Sequence, residues 1–167
     1  ARDAATGEEI WTAQPDQDAS ADLEAAGIGD ILNAGRGIPS PPGPALGDGK
    51  VFVGLMDGRV AAFSQADGEF LWSTQIGYDP PRKGQAVSGA PIYVDGKVFT
   101  GLANGDWAFR GKVVALDADT GEVLWDFWTI PEPGDPGSES WPQDGQYGDV
   151  WKQGGAGVWH VANADPE

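Results

Sequence analysis

Three residues stand in settings that could do chemistry. Arg36 lies between glycines in Asn33-Ala34-Gly35-Arg36-Gly37. A guanidinium can hold a carboxylate through two parallel hydrogen bonds, and glycine neighbours let a ligand approach the backbone. Asp106 supplies the anionic oxygen that a hard divalent cation takes as ligand. Trp159 ends the run Gly154-Gly155-Ala156-Gly157-Val158, where an indole offers a broad flat face for dispersion contact. Each has a plainer counterpart: a solvated loop arginine, a surface acid among 26, or a packing tryptophan among eight. Ser88 is open in the same way, since a serine there could simply cap a strand.

Composition removes other chemistries. The 167 residues hold no cysteine and one histidine, His160. Disulfide frameworks, thiolate metal sites and cysteine nucleophiles are excluded, as are multi-histidine metal sites. The lone imidazole has no G-x-S-x-G turn with it. Acids outnumber bases 26 to 10, for a net charge of −16. Such a surface repels nucleic acid and anionic lipid, so neither is expected as a partner. No apolar run approaches the ~20 residues of a membrane helix, and no signal peptide is visible. Residue 1 already falls inside a motif, so a targeting segment upstream is compatible with the sequence. Gly 26 and Pro 13, with 17 aromatics among 8 Trp, 6 Phe and 3 Tyr, suit many short strands joined by turns.

The elements that must position these residues follow from a repeat. Ala1-x-Asp3-x-x-Thr6-Gly7-x-x-x-Trp11 and Ala115-x-Asp117-x-x-Thr120-Gly121-x-x-x-Trp125 share one pattern. Ala62-x-Ser64-x-x-Asp67-Gly68-x-x-x-Trp72 is a worn copy between them. The tryptophans lie further apart than the ~40–50 residues of common propeller blades, which fits blades with long loops. Val113–Asp117 reads as a strand, Asp119-Thr120-Gly121 as a tight turn, and Glu122–Trp125 as the antiparallel return. A tryptophan at a fixed place in each blade would be buried between neighbouring sheets.

A second register agrees. Gly49–Leu55 matches Gly96–Leu102, each preceded by an Asp-Gly hairpin signal. Gly58–Ala62 matches Gly111–Ala115, with six extra residues in the second copy within Ala103–Arg110, which puts Asp106 in an insertion between paired strands. Ser20–Gly27 reads as a short helix with Ser20 as N-cap and Gly27 as stop. Residues 128–157 lack periodicity and read as a long functional or mobile loop. The expected fold is therefore all-β: about three four-stranded antiparallel propeller blades with docking tryptophans, and one short helix. Three blades cannot close a ring, so residues 1–167 are expected to be part of a larger propeller or to complete one with partner chains.

The repeat resembles the tryptophan-docking motif of the quinoprotein alcohol dehydrogenases, which use pyrroloquinoline quinone (PQQ). Gly35-Arg36-Gly37-Ile38, Val87-Ser88-Gly89-Ala90-Pro91, Gly105–Gly111 and Gly154–Trp159 with Asp165-Pro166-Glu167 follow that family's order. The resemblance implies an eight-bladed periplasmic enzyme that binds PQQ with calcium or a lanthanide, oxidises an alcohol or sugar and passes electrons to a cytochrome c-type acceptor. It implies that Arg36 clamps a PQQ carboxylate, that the Ser88 hydroxyl bonds the quinone, that Gly105 contacts the cofactor and that Trp159 lies flat beneath it. Asp106 falls where the family has a metal-binding Glu, and His160 is given no role.

The match has departures. Asp106 is one methylene shorter than the family's Glu. Ala103 replaces a customary hydroxyl, and Gly29-Asp30-Ile31-Leu32 lacks the adjacent cysteines often found there. The family's catalytic Asp base and a metal-binding Asn come from later blades, so this stretch alone is expected not to turn over substrate. Two other readings remain: a non-catalytic PQQ-like-repeat propeller acting as a protein-binding scaffold, and a degenerate dehydrogenase that binds cofactor weakly.

Overall fold

The structure is a computed structural model, and it describes residues 1–14, 43–80, 82, 85–103, 105–142, 144–160 and 162–165. Two Asp-Gly pairs, Asp48-Gly49 and Asp95-Gly96, have positive φ at both positions. That conformation matches the twist of antiparallel strands and turns the chain directly back. Each pair opens a four-stranded sheet in chain order. The first comprises β1 (Ala45–Gly47), β2 (Lys50–Gly54), β3 (Arg59–Ser64) and β4 (Phe70–Gln75). The second comprises β5 (Ile92–Val94), β6 (Lys97–Leu102), β7 (Lys112–Asp117) and β8 (Val123–Trp128). All neighbours pair antiparallel, with Phe52 opposite Ala62 in the first and Phe99 opposite Ala115 in the second.

These are two propeller blades. The isolated antiparallel bridge Arg2↔Glu9 carries the first motif copy in the same turn conformation. The helix expected at Ser20–Gly27 lies outside the described residues. The long 128–157 segment beyond β8 holds three short 3-10 turns, Ser138–Ser140, Gly145–Tyr147 and Val150–Gln153.

The motif works through its acid and its hydroxyl. Asp117 Oδ1 accepts from the Asp119 and Thr120 amides and from the Thr120 hydroxyl, at 2.9–3.0 Å. Asp3 does the same with Ala5 and Thr6. These donors favour the ionised form and hold both carboxyls below the usual aspartate range, the Thr backbone bond first in each case. In the worn copy the pair is exchanged. The hydroxyl sits first, as Ser64, and the carboxylate fourth, as Asp67, which the Ser64 hydrogen bond lowers in turn.

The turn then serves as a seat for the preceding blade's tryptophan. Trp72 lies on Gly121, where an added Cβ would stand 2.6 Å from its ring, and its Nε1 donates to the Ala118 carbonyl at 3.2 Å. Trp11 lies in the same way on Gly68 and donates to the Gln65 carbonyl. Only a glycine fits, because the ring occupies the place of the missing side chain and φ is +75° at Gly121. Around Trp72 the two sheets enclose Phe52, Val60, Ile76, Val87, Val98, Val114 and Leu116. The Phe52 and Tyr93 rings stack with centroids 5.9 Å apart. Thr74 Oγ1 donates to the Gly121 carbonyl at 2.7 Å, and Lys50 pairs with Asp119 at 2.6 Å. On the far side of the second sheet Trp125 and Phe127 are exposed.

Two outcomes are expected. Gly121→Ala should cost about 2–4 kcal/mol, from positive-φ strain plus displacement of Trp72, as read by chemical denaturation. Asp117→Ala should lower Tm at neutral pH. Because the folded carboxyl titrates low, its contribution is present above the unfolded aspartate pKa and is lost as pH falls through the folded one. The Tm difference between the two proteins should therefore close in acid.

Candidate functional site

The β6–β7 connection carries Asp106 and is built to stay in place. Its first residues turn once as a 3-10 helix, Gly105–Trp107. Its last residues are buried: Phe109 is 5% exposed and Arg110 6%. Arg110 acts as a peg. Its amide donates to the Tyr78 hydroxyl at 2.8 Å, Nη1 to the Ile130 carbonyl at 3.0 Å, and Nη2 to Glu132 Oε1 at 2.8 Å. The guanidinium carbon sits 4.4 Å from the Trp128 ring centroid and 5.1 Å from that of Trp151. Stacking on indoles while donating in plane suits a guanidinium and not an ammonium.

The glycine run seen in the sequence lies against this connection. Gly155 donates to the Phe109 carbonyl at 2.9 Å, Gly111 to the Gly155 carbonyl at 3.0 Å, and Val158 to the Leu102 carbonyl at 2.9 Å. A Cβ on Gly105 would stand 3.0 Å from Gly155 and Gly157 backbone, and one on Gly111 1.9 Å from the Ala156 oxygen. Here the glycines provide close approach of two backbones. A third segment joins them. Ala103 donates to the Ala86 carbonyl at 2.8 Å, and a Cβ on Gly89 would reach the Trp159 and His160 backbone at 3.3 Å.

Three stretches far apart in sequence, 86–89, 102–111 and 154–160, thus meet at one end of the second sheet. They carry four of the five expected site residues. Ser88 is buried, at 9% exposure, and its neighbour Gly89 lies on the Trp159–His160 backbone. Gly105 is pressed against the glycine run, and Asp106 next to it is exposed. Trp159 is 59% exposed, whereas the docked Trp72 is 8%. Arg36 lies outside the described residues. Among the described residues no group of three acids or histidines could hold a metal, so Asp106 alone would supply one ligand of a larger set.

Two features went unread in the sequence. The His160 ring stacks on Trp159, with centroids 4.0 Å apart. Thr129 Oγ1 lies 2.8 Å from the Gly111 oxygen and 2.9 Å from that of Ala156. No spacing rule marks either: the Thr129 contacts depend on how the 128–157 segment returns to the sheet, and the His160 contact on the side-chain conformations of two adjacent residues.

A family model described as "Outer membrane protein assembly factor BamB", built on PQQ-type repeats, matches residues 1–134. The chain belongs to this family of PQQ-repeat propellers. Its curated relatives are quinoprotein alcohol dehydrogenases. The quinohemoprotein alcohol dehydrogenase ADH IIB of Pseudomonas putida is 38% identical over 99% of this chain and 23% of that protein. Two solved structures are similar. The quinohemoprotein alcohol dehydrogenase from Comamonas testosteroni has a TM-score of 0.70 at 30% identity, over 95% of this chain and 23% of that one. A europium-containing methanol dehydrogenase has a TM-score of 0.60 at 30% identity, over 74% of this chain and 23% of that one. The chain therefore spans about a quarter of the length of the relatives it matches.

Arg110 and Asp106 should separate under mutation. Arg110→Lys is expected to lose about 1–3 kcal/mol of stability, because a buried carbonyl bond and two ring contacts go with the planar fork. Asp106→Asn should leave the denaturation midpoint unchanged, as expected of an exposed side chain.

Proposed function

We propose that this chain forms early blades and one wall of the cofactor site of a PQQ-dependent dehydrogenase that oxidises an alcohol or sugar. The observation that carries the reading is the convergence of Ser88, Gly105, Asp106 and Trp159 on one end of the second sheet, from three separate segments. The indole of Trp159 fits a planar ligand, because it stays 59% exposed even with the His160 ring against it, where the docked Trp72 is 8% exposed. Family relationship adds support: the relatives named above are alcohol dehydrogenases with PQQ-type names.

Bound PQQ would supply a two-electron acceptor for the substrate's hydride. The chain's residues would bind and orient it. Trp159 offers the stacking face, and Gly105 lets backbone come close. The Ser88 hydroxyl would donate a hydrogen bond to the quinone. Arg36 would pair with a carboxylate through its planar fork. Asp106 would give an anionic oxygen to calcium or a lanthanide, with other ligands from elsewhere in the protein. A shorter acid at this position means the cation must sit closer to the β6–β7 connection or be reached through water. A periplasmic setting, a cytochrome c-type electron acceptor and completion of the ring by further blades or partner chains belong to the same proposal. The runner-up is a scaffold propeller that binds protein and no quinone, which the description of the matching family model favours.

The test is titration of the protein at its full natural length with PQQ in the presence of Ca2+ or a lanthanide. Saturable quenching of tryptophan emission is expected, together with alcohol-dependent dye reduction. Trp159→Ala should weaken PQQ binding at least about tenfold. Asp106→Ala should abolish the metal requirement's saturation curve while Asp106→Glu keeps it. No saturable PQQ binding under either metal would overturn the proposal and leave the scaffold reading.

A further inference from the structure

The glycine run that carries Trp159 is held to the rest of the site largely by backbone bonds, and one side chain reaches it at its most constrained point. Ala156 has φ +47°, in the left-handed region that a residue with a Cβ adopts only under constraint. Its carbonyl oxygen occupies the space where a side chain on Gly111 would stand. Thr129, the residue after β8, faces both. Its amide already donates to the Gly111 carbonyl at 2.8 Å. Its hydroxyl has a single proton and two acceptors in range, the Gly111 and Ala156 oxygens. The Gly111 oxygen already takes the Thr129 amide, so giving the hydroxyl proton to Ala156 provides each of the two carbonyls with a donor.

We infer that Thr129 is a positioning residue of the proposed cofactor site, deepening the reading above and resting on it. The hydroxyl fixes Ala156 in its left-handed conformation. That conformation sets the path of the next three residues to Trp159. Through the Gly155–Phe109 and Gly111–Gly155 bonds it also sets the distance between this run and the connection that bears Asp106. Thr129 touches neither ligand. It would act by keeping the stacking face and the metal-binding oxygen in register, since both are carried by segments that its hydroxyl ties together alongside the backbone bonds. Serine keeps the hydroxyl; valine has nearly the same shape and no donor.

The experiment compares wild type, Thr129→Val and Thr129→Ser at full natural length. The first readout is hydrogen exchange at the Gly111, Gly155 and Val158 amides without ligand. Thr129→Val should exchange at least about tenfold faster there, with the Trp72-centred core unchanged, and Thr129→Ser should match wild type. The second readout is PQQ affinity and metal affinity measured separately. Both should weaken about tenfold in Thr129→Val and recover in Thr129→Ser. Unchanged exchange in Thr129→Val overturns the inference. So does faster exchange with PQQ and metal affinities both unaltered, which would make the bond purely structural. If wild type binds no PQQ, the function proposed above fails and takes with it the positioning role, while the exchange data still decide whether Thr129 holds the run.

Discussion

The structure depends on an indole lying where a side chain is missing. Trp72 and Trp11 can reach their seats only because Gly121 and Gly68 carry no Cβ. The seat exists only because an acid and a hydroxyl gather the turn's amides. One contact therefore joins three kinds of physics: a backbone conformation that glycine tolerates, a carboxylate satisfied by local donors, and a large apolar face removed from water. Neighbouring blades register through it, and Lys50–Asp119 and Thr74–Gly121 add polar bonds at its edge. The worn copy shows what the arrangement requires. Exchange of acid and hydroxyl between Ser64 and Asp67 is tolerated, and loss of the glycine is not seen in any copy.

The site is assembled by a different device. The sheets end where the docking tryptophans end, and beyond them chain is laid on chain. Glycines at 105, 111 and 154 bring two backbones closer than side chains would permit. Arg110 then fastens the β6–β7 connection from behind, through indoles, a carbonyl and Glu132. A buried guanidinium with its partners provides stiffness to a segment with no strand neighbours on that side. The exposed side chains of Asp106 and Trp159 rest on this support, apart from the buried interactions that hold the fold.

Much of the fold was legible because it is written locally. Asp-Gly turns, the A-x-D-x-x-T-G-x-x-x-W pattern and alternating strands each involve residues within about ten positions, and turn chemistry and pleat period read directly from such windows. Tryptophan docking was legible as burial between sheets, though the rule that each indole sits on the next copy's glycine needs coordinates. The candidate site could be drawn in the sequence only by resemblance. Ser88, Gly105, Asp106 and Trp159 come together through backbone bonds such as Ala103–Ala86 and Val158–Leu102, which leave no mark in residue type. The Thr129 contacts were silent for the same reason: the 128–157 segment has no period, so its return path could not be inferred.

Gly7 has nothing within 4 Å of where a Cβ would lie, and Trp125 is 48% exposed. The described blades therefore present a bare socket at one margin and a bare plug at the other, and the two are complementary. Surfaces of that kind are heterologous: they mate head to tail, closing as a ring when the rotation per wedge sums to a full circle and otherwise running on as a filament.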